Sequence, residues 1–305
     1  MIGFIFKRFL WMILTLWVVF TVSFILMHSV PGGPFDGERN LPPEIEANQA
    51  RRYHLDEPLW KQYSRELNNV LHGDLGFPYK IGDLSVNEMV RQGFPVSAAL
   101  GLMALTFAIL LGLTSGIVAA VSRGTWTDSG LMALATIGIT LPNFVVAGFM
   151  ILLFVFTIPL FPAAGWGTAN QLVLPAICLG APYAAEIARI TRTSMLDVLS
   201  QDYIRTAEAK GLPKWHVVLR HALPTALLPV MSFLGPAAAG ILTGSLVIEQ
   251  IFAIPGLGSH FVQAALGRDY TVAMGLVLLY TVILYTFNFI VDLSYAVLDP
   301  RVEWK

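Results

Sequence analysis

The side chains of this 305-residue chain that could do chemistry are few, and most of them lie together. Residues 201–229, QDYIRTAEAKGLPKWHVVLRHALPTALLP, sit between two apolar blocks and carry Arg205, Lys210, Lys214, His216, Arg220 and His221. Asp202 is placed to cap a helix whose first turn is Tyr203 to Thr206. Gly211 suits the left-handed position that ends a helix, and Pro213 prevents continuation. Ala207 and Ala209 are small, so a partner surface can come close. The result is a short polar helix across a membrane face, a turn, and a second basic stretch from Lys214 to His221. Trp215 and the basic side chains there suit an interface. Such a segment can offer a docking surface. It can equally be an interfacial helix whose charges only satisfy the positive-inside rule, and the residue types alone leave both open.

Other candidates are scattered. Glu186, one turn before Arg189, and Asp292, in the last third of the final apolar run, are carboxylates at membrane depth. An intramembrane acid is a functional candidate by default. Both lie near a basic interface, so structural pairing is preferred over a role in substrate passage. His28, near the far end of the first apolar run, reads as interfacial. Cys178 is the only cysteine, which excludes an intrachain disulfide, and its apolar setting makes it a small buried hydrophobe. The chain has no G-x-x-x-x-G-K-[ST] to cradle phosphates, no H-E-x-x-H, no second cysteine for a thiolate site and no G-x-S-x-G nucleophile. No metal site is expected, and no nucleic-acid partner either, the basic residues being those that topology needs.

The elements that must carry these residues are membrane spans. The composition is 55% hydrophobic and 13% charged, too little charge to cover a soluble surface. Lys7 and Arg8 precede a run from Phe9 to Val30 that is too long for a signal-peptide core, so residues 1–30 read as a cytoplasmic N-terminus and a retained first helix. Residues 31–93 form a polar external cap. It opens on a Gly/Pro-rich stretch, continues with Leu59, Trp60, Tyr63, Leu67, Val70 and Leu71 at helical spacing, and closes that helix at His72-Gly73. Ser85 to Glu88 is a capping box that starts another short helix. The cap could contact an external partner or only pack on the membrane domain.

Phe94 to Val121 is the second run. Ser129 to Ala185 has no charged residue and breaks at Pro162 to Asn170, which predicts a third helix, kinked or bounded at Pro142, and a fourth from Gln171 to about Ile190. A fifth runs from about Leu223 to Val247. Residues 249–270, with IPGLGSH, form an external loop or re-entrant segment, and a sixth helix runs from Thr271 to about Leu298. Residues 299–305 are a tail that starts at Asp299-Pro300-Arg301. One set of short loops holds Arg123, Arg189, Arg192, Arg205, Lys210, Lys214, Arg220, Arg301 and Lys305, and the other holds Arg268 alone. Six spans with both termini cytoplasmic satisfy that asymmetry.

The spacing within 205–224 resembles the cytoplasmic loop motif of ABC-importer permeases, which has the form EAA, three residues, Gly, nine residues, Ile-x-Leu-Pro. Ala207, Gly211 and Leu223-Pro224 keep the spacing. Arg205 and Thr206 stand where the general motif has Glu and Ala, and His221 stands where it has Ile. Those departures are the form usual in the dipeptide, oligopeptide and nickel subfamily. Glu249, Phe252, Pro255-Gly256-Leu257-Gly258 and Arg268-Asp269-Tyr270 look like that subfamily's external loop between the last two helices. Asp292, Tyr295 and Asp299-Pro300-Arg301 look like its C-terminal ending. Gly73-Asp74-Leu75-Gly76 with Phe94-Pro95-Val96-Ser97 also fits, and PGGPFDGER resembles the B-type permeases of oligopeptide importers.

The resemblance implies an all-α integral membrane protein with six transmembrane helices, the type I ABC-importer permease fold and a small external helical cap between helices 1 and 2. It implies a permease core over 94–298 with a coupling segment at 201–224. Arg205, Thr206, Ala207, Glu208, Ala209 and Gly211, with Leu223 and Pro224, would dock a cytoplasmic ATPase and pass on its closure. Glu249, Phe252, Pro255, Gly256, Gly258, Arg268 and Asp269 would form an external loop reaching toward a solute-binding protein. The implied partners are a homologous second permease, two cytoplasmic ATPase subunits, an external solute-binding protein, a peptide substrate and the bilayer. ATP and Mg would be bound by the ATPase subunits, so this chain would hold no cofactor and catalyse nothing. Dipeptides, nickel or glutathione are alternative cargoes. A secondary transporter or channel is the alternative class, but it would need coupling charges deep in the bilayer and inverted repeats that are not evident. An intramembrane protease would need a deep partner for Asp292.

Overall fold

The computed structural model describes residues 2–29, 48, 51, 53–79 and 84–298. Every regular element among them is a helix. That is what an apolar environment demands, since a helix satisfies its own backbone hydrogen bonds. The Pro/Gly-rich stretch at 31–39, and Asp299, Pro300, Arg301 and Lys305, lie outside the described residues. Asp292 is on a helix, but its side chain is not described.

The helices are α1 (Ile2–Ser29), α2 (Leu59–Leu71), α3 (Val86–Val121), α4 (Trp126–Thr140), α5 (Asn143–Thr157), α6 (Ala169–Leu199), α7 (Asp202–Ala209), α8 (Lys214–Ala226), α9 (Leu228–Ile251), α10 (Leu257–Gly267) and α11 (Tyr270–Leu298). Four of them are long and apolar enough to cross a membrane, and two bent pairs bring the number to six if each pair is one span.

Two bends interrupt the apolar runs, the first at the expected Pro142. Between α4 and α5 the chain turns by 109°. Leu141 is extended (ψ 129), as the residue before a proline must be, and Pro142 is the N-cap of α5, so this proline is a boundary rather than a kink. Between α8 and α9 the turn is 55°. Pro229 enters there at the second position of α9, where a missing N–H costs nothing.

Three other expectations are corrected. The short cap helix and the second span are one 36-residue helix, α3, which carries Pro95 inside it. The Ser85 hydroxyl caps it by accepting from the Glu88 N–H at 3.2 Å. The fourth span runs on to Leu199, so Arg189 and Arg192, counted with the loop residues, are helical, as Glu186 was expected to be. Of the loop and re-entrant alternatives for 249–270, the plain loop is corrected, because the segment contains α10.

The described chain divides into two compact units. The first takes residues up to 97 and 255–285. Phe20 and Phe24 of α1 pack there with Met274 and Leu278 of α11, and Tyr63, Leu67 and Val70 bring α2 onto them. Those three are the inward half of the expected apolar face of α2. Leu59, Trp60 and Leu71 point outward. His28 stacks on Phe24 with ring centroids 4.1 Å apart, and its Nε2 lies 3.3 Å from Oε1 of the buried Gln62. A second cluster joins Val86 and Met89 of α3 to Leu257, Ala264, Val272 and Leu276.

The second unit takes 98–254 and the end of α11. Lipid offers helices little hydrophobic drive to associate, so close backbone approach matters more. Gly112 and Gly116 of α3 form such an approach against α6. A Cβ at Gly112 would stand 2.7 Å from the Ala184 carbonyl oxygen, and one at Gly116 would stand 2.6 Å from that of Ala188. Ala108, Ala184, Ile187 and Val230 fill the adjoining core.

Candidate functional site

The basic segment is built on the last turns of α6. Ser200 leaves the helix, Gln201 is extended (φ −76, ψ 151), and α7 begins at Asp202. Gln201 is therefore the N-cap, and no side chain caps the helix. Asp202 sits in the first turn instead, where its charge favours the exposed N–H groups of the helix.

Helix α7 has two faces. Ile204 and Ala207 are buried, packed with Met195 and Val198 of α6, Ala120 of α3, and Val217, Ala222 and Ala226 of α8. Asp202, Tyr203, Arg205, Thr206, Glu208, Ala209 and Lys210 are all exposed. Ala207 is thus small because its own domain packs on it, not because a partner approaches it. Ala209 is the alanine on the open face. The Arg205–Asp202 contact, 3.5 Å long with both side chains largely exposed, contributes little.

The helix ends as its glycine requires. Gly211 has φ +80, and open space surrounds the position of its missing Cβ. Its N–H donates to the Glu208 carbonyl at 2.9 Å, and that of Leu212 donates to the Ala207 carbonyl at 3.4 Å. This pair of bonds is the Schellman closure, and Leu212 completes it by packing on the α7 cluster. Pro213 then serves as N-cap of α8.

In α8, residues Val217–Ala222 wind as a π-helix. The wider turn puts Val217 and Ala222, five residues apart, on the face that also holds Ala226, and all three are buried beneath α7. Leu223 is half-buried against the same cluster, while Pro224 is exposed. Trp215 is exposed, and the His216 and His221 rings lie 5.8 Å apart. The arrangement is a firmly seated helix with an outward polar face.

A pair that sequence reasoning did not single out braces the floor of this site. Arg192 of α6 donates from Nε to Oδ1 of Asp128 at 2.6 Å and from Nη2 to Oδ2 at 2.8 Å. The Gly124 N–H donates to Oδ2 at 3.0 Å. Asp128 is buried, so the carboxylate is satisfied by two fixed partners in a place where leaving it unpaired would be costly. Met195, one turn on from Arg192, is part of the floor under α7. The local signal was Thr125-x-x-Asp128, a capping pattern. The partner 64 residues away carried no signal. Glu186 finds the expected structural partner, with Nη2 of Arg189 at 2.6 and 2.8 Å from its two oxygens.

Of the residues expected in an external loop, Glu249 and Gly258 are helical, while Phe252, Pro255, Gly256, Arg268 and Asp269 lie in the turns that flank α10. Glu249 is fully buried inside α9 and accepts from the Ser245 hydroxyl at 2.6 Å. Phe252 is buried at the end of that helix, and its carbonyl accepts from the Gly165 N–H at 2.9 Å. Pro255 and Gly256 lead into α10, whose Leu257 N–H donates to the Ser97 hydroxyl at 2.9 Å. Gly258 is buried in α10. Arg268 is left-handed (φ 57) at the end of α10. Asp269 is buried, with Oδ2 accepting from the Tyr79 N–H at 2.9 Å and Oδ1 from the Val272 N–H at 3.3 Å. Glu249, Phe252, Gly256, Gly258 and Asp269 are thus buried in the fold, whereas Pro255 and Arg268 are exposed.

Residues 108–304, which hold α6 through α9, match the family model of the binding-protein-dependent transport system inner membrane component. The chain belongs to that family. Over 306 residues and the full length of both chains it is 46% identical to the oligopeptide transport system permease proteins OppB of Haemophilus influenzae and of Escherichia coli K12. It is also 46% identical, over 97% of its length and 96% of the other chain, to the dipeptide transport system permease protein DppB of Bacillus subtilis. A solved structure of the MetNI methionine ABC transporter in an inward-facing conformation covers 69% of this chain and 96% of its own, with a TM-score of 0.58 at 20% identity. That likeness concerns the fold, which is that of an ABC-importer permease. The chain is a multi-span transport component of the inner membrane, and family membership sets aside the secondary-transporter, channel and protease readings.

Proposed function

We propose that this chain is the membrane-spanning permease subunit of an ABC importer for oligopeptides, and that α7 is the handle by which partner ATPases move it. Full-length identity of 46% to oligopeptide permeases carries the cargo reading. The equal identity to a dipeptide permease keeps dipeptides as the second reading. The seating of α7 supports the mechanical part. An outward face of Arg205, Thr206, Glu208 and Ala209 is joined through Ile204 and Ala207 to α3, α6 and α8, so a push on the open face is delivered to long helices and not lost in a loop.

The partners in this reading are a homologous second permease, with the pathway between the two, two ATPase subunits that bind ATP and Mg, and a binding protein that delivers the peptide. In this reading α7 and both termini are cytoplasmic, which the basic short loops support. Closure of the ATPases drives alternating access, and this chain holds no cofactor.

Gly211→Val tests the handle in the reconstituted complex. Left-handed backbone costs a residue with a Cβ about 1–2 kcal/mol, and open space around Gly211 means that no clash adds to this. Assembly is expected to survive, while peptide uptake and binding-protein-stimulated ATP hydrolysis fall at least tenfold. Normal coupled uptake by an assembled variant would sink the role. Uptake of tripeptides to pentapeptides against dipeptides separates the two cargo readings.

A further inference from the structure

A cavity of about 420 Å³ opens beside α2 in the first unit, within the size range of small-ligand pockets. Nothing in the transport mechanism uses it. Its walls include the aromatic side chains Tyr53, Phe77 and Tyr79, and its charged side chains include Arg65, Glu66 and Asp74. Tyr53 and Tyr79 meet edge to face with centroids 5.0 Å apart. Gly76 permits part of the lining, because a Cβ there would come within 2.9 Å of the Thr271 methyl group.

The charges do not balance inside the cavity. Arg65 is committed elsewhere, with Nη1 donating to Glu57 at 2.7 Å and Nη2 to the His54 carbonyl at 3.4 Å. His54 leans to the same Glu57, Nδ1 to Oε1 3.6 Å. Asp269, which acts on Tyr79 from below, already accepts from two backbone N–H groups. Asp74 accepts from the Gly76 N–H through one oxygen at 2.9 Å. Glu66 has no hydrogen bond or ion pair among the described residues. Burial raises its carboxyl from the usual 4.5 to about 7, against a smaller lowering by Arg65. Among the described residues, then, no cation pairs with Glu66, and the cavity beside it is lined by aromatic rings, a kind of surface that attracts cations.

We propose that this cavity binds an organic ammonium group, carried by a small amine or by the amino end of a short peptide, with Glu66 as its counter-ion and Tyr53 and Tyr79 around its alkyl stem. The occupant competes with a proton for the Glu66 carboxylate. Binding strengthens as pH rises through the Glu66 titration, because the carboxylate and not the acid attracts the cation. The site is separate from α7, so it stands or falls independently of the coupling role.

The test is calorimetric titration of the full chain in lipid nanodiscs with n-pentylammonium and with n-pentanol, which differs by the charge. Saturable binding of the ammonium is expected, at least tenfold tighter than the alcohol. Glu66→Gln should weaken it at least tenfold. Wild-type affinity should weaken about tenfold from pH 8 to pH 6, as the ionised fraction falls from about 0.9 to about 0.1. Free and N-acetylated trialanine identify the source. Binding of the free form alone assigns the peptide terminus, and binding of neither restricts the site to small amines. Tyr53→Leu, which leaves Glu66 intact, should also weaken the ammonium and serves if Glu66→Gln does not fold. Equal binding of pentanol, or ammonium binding that ignores pH and both substitutions, overturns the proposal.

Discussion

Residues 201–224 and 249–270 are both polar interruptions between apolar helices, and both invite a partner-facing reading. The structure treats their carboxylates oppositely. In the first, Arg205, Thr206 and Glu208 are exposed on a helix held by two buried apolar residues. In the second, Glu249 and Asp269 are buried and occupied by hydrogen bonds. A charge between spans can therefore be an offer to a partner or a structural bolt. What distinguishes the two is whether donors from the same chain already surround it. Water or a partner must satisfy Arg205, whereas the backbone satisfies Asp269.

Substitutions should separate the two kinds by what they damage. Asp269→Ala removes an N-cap and leaves the Tyr79 N–H without its acceptor. The expected loss is about 2–4 kcal/mol, read as a lower unfolding temperature of the purified protein, with transport failing only because folded protein is lost. Ile204→Val trims the buried face of α7 by one methylene. It should cost about 0.5–1.5 kcal/mol and weaken coupling in proportion. Arg205→Ala should change stability by no more than about 0.5 kcal/mol, yet lower ATPase affinity in pull-down and stimulated hydrolysis. A large stability loss at Arg205, or a transport defect in fully folded Asp269→Ala, would erase the distinction drawn here.

Several local interactions were legible in the sequence. The left-handed turn at Gly211, the closure of α2 at His72-Gly73 and the cap at Ser85 each depend on neighbours within a few residues, and the sequence pointed to each. The end of α6 was misplaced because charge was taken to end a span. A membrane helix can run past the interface with Arg189 and Arg192 on it, since its backbone bonds do not depend on depth. Asp202 was expected as a cap because of its residue type, but the extended residue is Gln201.

The sequence by itself determined that this is a helical membrane protein of the permease type, with one polar helix capped by glycine. Hydropathy, caps and motif spacing act over one to four turns, and they survive without knowledge of the path of the chain. Only the tertiary structure decided which polar residues face inward. The Asp128–Arg192 pair spans 64 residues and the Asp269–Tyr79 bond spans 190. It also decided that Ala207 faces its own core and that Glu66 lines a cavity. The reason is that burial and pairing belong to the space around a side chain, and helices far apart in sequence create that space.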